Sequence, residues 1–149
     1  MTIRCATVAD IPAMRAVEAS AATAAHWTPE TYDSLFRPDS LRRLMLVLED
    51  SNGIIGFVVA LCCAAEWEIE NLAVAHEARR RGVGNRLVGE LLAQAEKAGA
   101  NAVLLEVRES NQAARAMYEK CGFLESGRRS RYYSDPLEDA ILYRLSALP

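Results

Sequence analysis

The chain has 149 residues, 51% of them apolar, and a formal net charge of −3 at pH 7. One domain spanning residues 1–149 is the natural expectation at this length, with enough apolar side chains for a core. The acidic balance argues against direct nucleic-acid binding, which selects basic chains. The longest apolar run, IIGFVVALCCAA at residues 54–65, is too short to cross a bilayer as a helix, so no membrane partner is expected.

The opening MTIRCATVAD lacks the apolar core of a signal peptide, and a cytoplasmic protein with reduced thiols is expected. Cys5, Cys62, Cys63 and Cys121 have neither C-x-x-C spacing nor a histidine-rich partner set, so no metal is expected. TIRCATV predicts a short strand. Asp10 is placed to cap a helix running to about Ala25, and Thr28-Pro29 has the cap and first-turn chemistry of a second. LMLVLED, the turn SNG and IIGFVVALCCA predict a hairpin. WEIENLAV alternates, with Trp67, Ile69 and Asn71 on one side and Glu68, Glu70 and Leu72 on the other. It predicts a strand with an acidic face.

From Val83 to Ala98 the apolar residues Val83, Leu87, Val88, Leu91, Leu92 and Ala95 recur at helical spacing, and Gly99 supplies a stop. NAVLLEV predicts a strand buried on both faces. Ser110 or Asn111 caps a further helix with the stripe Ala114, Met117, Tyr118 and Cys121, ending at Gly122. GFLESGRRSRYY and EDAILYRLSAL predict two closing strands, with Tyr132 and Tyr133 in a loop after the basic stretch. The order implies an α/β chain, a mixed sheet covered by helices.

Three arginines and two glycines, in EARRRGVG, lead directly into the long helix. Backbone N–H groups at a helix start lack internal partners, and the helix dipole favours an anion there. Glycine allows close approach. Arg79-x-x-Gly82-x-Gly84 is not a P-loop, because no Gly-Lys-Ser/Thr follows, and Leu87 stands where a dinucleotide fingerprint needs Gly or Ala. Taken alone, the segment is equally a solvated basic turn.

The unit Arg79-x-x-Gly82-x-Gly84 between a strand and a long helix resembles the acetyl-CoA loop of the GNAT superfamily of N-acetyltransferases. LLEVRESNQAARAMYEKCGF is similar to that superfamily's second signature, L-x-V-x-x-x-N-x-x-A-x-x-x-Y-x-x-x-G-F. LLEVRESN, AMYEKCGF, RRSRYY and EDAILYRL together resemble the branch that acetylates alanine N-termini of bacterial ribosomal proteins, and HWTPETY resembles its Trp-containing turn. The likeness covers nearly the whole chain and is loosest before residue 44. It implies the GNAT fold, a mixed sheet of six to seven strands flanked by about four helices, and acetyl-CoA as co-substrate with no metal.

The resemblance also implies roles. Backbone groups of Leu72, Ala73 and Val74 hold the pantetheine arm. Arg79, Arg81, Gly82, Val83, Gly84, Asn85 and Arg86 hold the pyrophosphate, and Asn111 either helps or only caps its helix. Tyr118 contacts the CoA sulfur and protonates the leaving thiolate. Glu106 is the general base, and its position inside an apolar run fits a desolvated carboxyl with a raised pKa. Glu68 competes for that role, or belongs with Glu66 and Glu70 to an acidic wall for a cationic acceptor. Trp27, Tyr132 and Tyr133 contact the acceptor. That acceptor is the N-terminal amine of a protein, a ribosomal one by the closest likeness, or else a small amine. A CoA-binding regulatory module without turnover is a further alternative.

Overall fold

The computed structural model describes residues 1–21 and 24–146. Seven strands form one sheet: β1 (Thr2–Cys5), β2 (Arg43–Asp50), β3 (Gly53–Cys63), β4 (Glu66–Val74), β5 (Ala102–Arg108), β6 (Leu124–Tyr133) and β7 (Glu138–Leu145). Their spatial order is β1-β2-β3-β4-β5-β7-β6, with β4 and β5 parallel and every other pair antiparallel. Among the described residues four α-helices accompany it: α1 (Ile11–Ser20), α2 (Pro29–Ser34), α3 (Val83–Lys97) and α4 (Gln112–Lys120). Among the described residues no helix is long and apolar enough to cross a membrane.

The hydrophobic patterns locate the core. Val83, Leu87, Val88, Leu91, Leu92 and Ala95 of α3 are all buried, as their spacing requires, against β2, β3 and β4. Each of the five Val and Leu side chains stabilises the fold by about 1.5–3 kcal/mol relative to exposure. Alternation on β4 buries Trp67, Ile69, Asn71 and Ala73. Gly56 of β3 lets α3 lie close: a Cβ there would stand 2.7 Å from Val83 Cγ1 and 3.2 Å from the Ala73 carbonyl.

The first helix is shorter than its sequence implies. The expected extent, to about Ala25, includes residues 22 and 23, which lie outside the described residues. α1 itself ends at Ser20, and Ala21 is extended (φ −100°, ψ 101°). Alanines favour helix, but the Glu18 side chain accepts hydrogen bonds from Trp27 N–H at 3.1 and 3.0 Å, which requires the chain to turn back. Asp10 does not cap α1 with its side chain. It lies in a short 3-10 turn, Val8–Asp10, where its carboxylate accepts from Thr7 N–H at 2.7 Å and from the Arg4 guanidinium at 2.8 and 2.9 Å. Tyr132 and Tyr133 are the last residues of β6 rather than loop residues.

Candidate functional site

The parallel ladder of β4 and β5 is short. It runs from Glu66 opposite Ala102 to Ile69 opposite Leu105 and then stops. Beyond that point β4 keeps only its β3 partners, from Asn71 opposite Val59 to Val74 opposite Gly56. β5 keeps only β7, from Glu106 opposite Leu142 to Arg108 opposite Ala140. The cause is local: the β3–β4 register slips between Val59 and Ala60, leaving Glu70 as an extra residue of β4. Such a bulge bends its strand, and here it turns β4 away from β5. The result is a wedge between two parallel strands, whose β4 side, Asn71 to Val74, has backbone groups without a strand partner. Crevices at the carboxyl ends of parallel strands are the usual binding places of α/β sheets.

The wide end of the wedge leads from Val74 into the glycine loop. Arg80 (φ 64°) and Gly82 (φ 75°) both take left-handed backbone. Gly82 caps α3 without any side-chain acceptor, and the first turn closes through Arg86 N–H to the Gly82 carbonyl at 3.1 Å. The N–H groups of Val83, Gly84 and Asn85 therefore precede the first intrahelical donor, at the positive end of a 15-residue helix. The arginines differ from one another. Arg81 pairs with Asp50 at 3.5 Å, and Arg86 donates to the Met1 carbonyl at 3.5 Å. Arg79 and Arg80 form no ion pair among the described residues. Gly84 has a packing constraint besides the one its motif suggests: a Cβ there would meet Met117 Sδ of α4 at 2.8 Å. Its smallness leaves room for the Met117 side chain, whereas Gly82, with nothing within 4 Å, serves the backbone turn.

These features fit acetyl-CoA. An open strand edge suits the amide-bearing pantetheine arm, and a side-chain-free helix N-terminus suits the diphosphate.

At the narrow end, three carboxylates flank the point where the ladder stops: Glu68 and Glu70 on β4, Glu106 on β5. Glu70 accepts from Arg43 Nε at 2.7 Å and Glu66 pairs with Arg144 at 2.8 Å. The expected acidic wall is thus largely neutralised, and among the described residues Glu68 alone of the three β4 glutamates has no ion pair. Burial raises the Glu68 pKa, with the charges of Glu106 and Glu70 adding to it and Arg129 opposing. Glu106, expected as a desolvated carboxyl in an apolar strand, receives Arg129 Nε at 2.8 Å. The partner comes from β6, two strands away in the sheet order, and no local pattern announces it.

Tyr132 and Tyr133 stand edge to face with ring centres 5.1 Å apart. Neighbouring residues of a regular strand point to opposite faces. Here Arg131 has φ 53° and the β6–β7 register slips between Arg129 and Tyr133, which breaks the alternation. Arg108 lies over the Tyr133 ring at 4.4 Å and Arg129 over Tyr132 at 5.4 Å. Tyr132 is half-exposed; burial raises the Tyr133 pKa, with the charge of Glu106 adding to it, and Tyr133 adds to the rise that burial causes at Tyr118. The structure therefore gathers Glu68, Glu106, Tyr118 and Tyr133 into one neighbourhood.

Tyr118 is buried on α4, its ring 5.6 Å from Phe123 and 6.4 Å from Tyr143. Burial pushes its phenol well above the ordinary value, so it stays protonated at neutral pH. Asn111 caps α4, accepting from Ala114 N–H at 3.2 Å. Sequence reading missed what orients that helix: Arg115 Nε donates to the Tyr143 hydroxyl at 3.1 Å, and that hydroxyl donates to Glu119 at 2.7 Å. Trp27 packs edge to face on Tyr32 at 5.7 Å, beside the buried Glu18.

The fold and this site define a class. The sequence model of the Acetyltransferase (GNAT) family matches residues 11–123, and the chain belongs to that family as an acetyl-CoA-dependent N-acetyltransferase. It is 38% identical over 112 residues to the [ribosomal protein bS18]-alanine N-acetyltransferase of Haemophilus influenzae, covering 75% of this chain and 76% of that one. It is 34% identical over 146 residues to the enzyme of the same name from Escherichia coli, covering 97% and 96%. The crystal structure of the ribosomal-protein-S18-alanine N-acetyltransferase from Escherichia coli superposes with a TM-score of 0.88 at 33% identity, over 99% of this chain and 95% of that one.

Proposed function

We propose that this enzyme acetylates the N-terminal α-amine of a protein, an alanine amine of a ribosomal protein in particular. The observation that supports this most is the wedge where β4 leaves β5, bordered by the α3 N-terminus at one end and by Glu68, Glu106 and the paired tyrosines at the other. The names of the similar proteins supply the acceptor class.

Bound acetyl-CoA supplies a thioester-activated acetyl group. The free β4 edge from Asn71 to Val74 orients it, and Arg79, Arg81, Gly82, Val83, Gly84, Asn85 and Arg86 border its phosphates. An acceptor amine is protonated in water at neutral pH and must lose a proton before it attacks. Glu106 receives that proton, directly or through water, and Glu68 holds the cation beforehand. Burial raises the Glu68 pKa and the charge of Glu106 adds to that rise. A β4 N–H stabilises negative charge developing on the carbonyl oxygen. The Tyr118 hydroxyl, kept protonated by its surroundings, delivers a proton to the departing sulfur. Holding both reactants in one wedge removes much of the entropic barrier. Tyr132 and Tyr133 flank the backbone of the acceptor's first residues.

The test is mass spectrometry after incubation with acetyl-CoA and three acceptors: a peptide beginning in a free alanine, the same peptide with a blocked N-terminus and an internal lysine, and a small polyamine. Acetyl on the alanine α-amine alone is the expected result. Acetylation of the lysine peptide or the polyamine in its place overturns the proposed acceptor.

A further inference from the structure

Away from the reacting groups, the structure buries one carboxylate that no cation balances among the described residues. Glu18 of α1 is 4% exposed, as is Asn71 of β4. The Glu18 carboxylate accepts from Asn71 Nδ2 at 2.8 Å and from Trp27 N–H at 3.1 and 3.0 Å. The Asn71 carbonyl oxygen in turn accepts from Ala25 N–H at 3.5 Å. The order of donors and acceptors fixes which way the Asn71 amide faces. Three separate parts of the chain meet here: α1, the segment that leads into α2, and the first residue of β4 after its bulge.

Burying a carboxylate is costly even when its hydrogen bonds are made, and apolar residues of similar volume would hold α1 on the sheet as well. What an apolar pair would not do is fix one backbone register. Asn71 begins the stretch of β4 that has lost its β5 partner. Trp27, packed edge to face on Tyr32, is the residue whose backbone the carboxylate grips.

We infer that Glu18 is a positioning residue: through Asn71 and the Trp27 N–H it fixes the acceptor-side wall against the β4 edge that presents the acetyl donor. This rests on the reading of the wedge as the site of transfer. Its effect falls on the acceptor wall, because Asn71 joins the network through its side chain whereas the β4 edge offers the donor backbone groups, and among the described residues no hydrogen bond links Glu18 or the Asn71 side chain to α3 or the glycine loop.

The experiment uses the full chain, acetyl-CoA and a peptide beginning in a free alanine. Glu18→Gln puts an amide where two donors converge, so one hydrogen bond to a charged acceptor is lost. The acceptor KM is expected to rise about tenfold, with the dissociation constant for acetyl-CoA unchanged. The double variant Glu18→Gln/Asn71→Asp exchanges donor and acceptor between the two side chains. The introduced amide then donates to the introduced carboxylate, and its carbonyl oxygen still accepts from Trp27 N–H. Recovery of the acceptor KM is expected. Incorporation of 5-fluorotryptophan gives a readout independent of turnover: the fluorine resonance of Trp27 should move in the single variant and return in the double one, while that of Trp67 stays. If the wild type acetylates no peptide, the acceptor reading fails and the fluorine resonances alone decide the inference. An unmoved Trp27 resonance, an equal weakening of acetyl-CoA, or a double variant that regains neither KM nor resonance overturns it.

Discussion

Glu68 and Glu106 show how one residue type acquires two environments from its neighbours. Glu68 has two other carboxylates acting on it and no ion pair among the described residues, and its pKa is raised by burial, then by Glu106 and Glu70. Arg129 opposes that rise and is itself committed to Glu106. Removing a negative neighbour makes the charged form of Glu68 easier, and removing a positive one makes it harder. Carboxyl carbon NMR titration of Glu68 should therefore give a lower pKa in Glu106→Gln and a higher one in Arg129→Gln; opposite shifts would show that the pair is not coupled as described. Tyr118 makes a second prediction at this scale. Tyr118→Phe keeps the ring contacts with Phe123 and Tyr143 but removes the hydroxyl. Turnover should fall about a hundredfold, as for other general acids, with acetyl-CoA affinity by calorimetry unchanged. Wild-type turnover would reduce Tyr118 to a packing residue. The candidate Tyr118 was legible because a motif carries it. Arg129, Arg115, Glu18 and Tyr143 were not, because each acts through a partner at least 23 positions away or through burial that only folding creates, Trp27 aside.

Two glycines of α3 separate close approach from mere tolerance. Gly84 faces Met117 of α4, and Gly89 has nothing within 4 Å of its missing Cβ. Gly84→Val forces a branched side chain against that sulfur and should cost about 1–3 kcal/mol, as overpacking does. Gly89→Ala sits in an exposed helix interior with open space and should stabilise by about 0.5–1 kcal/mol by restricting the unfolded chain. Urea unfolding of both variants checks the signs; equal effects would mean that α3 and α4 do not touch at Gly84. The pairing also changes what a loss of cofactor affinity in Gly84→Val would mean. Part of it would come from displacement of α4, with Tyr118 on it, and not from the phosphates alone. At the scale of elements the sequence is readable wherever a period is long: α3 and its buried stripe are as expected. It is less readable where a tertiary hydrogen bond overrides propensity, as where α1 ends at Ser20 before an alanine-rich stretch.

For the molecule as a whole, the acid response has a named contributor. Arg4 of β1 holds Asp10 by two hydrogen bonds, and with the Thr7 N–H this lowers the Asp10 pKa from 3.8 to about 2. A carboxyl whose pKa is lowered on folding stabilises fully above its unfolded value, and the stabilisation is lost as pH falls through the folded value. The melting temperature of wild type should therefore exceed that of Asp10→Asn at pH 6, and the gap should close between roughly pH 4 and pH 2. A gap that persists unchanged at pH 2 would place its origin elsewhere. The sequence by itself determined the succession of strands and helices, the buried face of α3, the two signatures and thus the family, because periodicity and glycine placement are local properties. Only the tertiary structure decided where β4 and β5 part, since that depends on a bulge at Glu70 set by pairing with β3. It likewise decided that Glu106 has a guanidinium beside it and that Gly84 answers to Met117. Those depend on which distant segments a folded sheet brings within a few ångströms of one another, and a linear pattern of residue types holds no such distances.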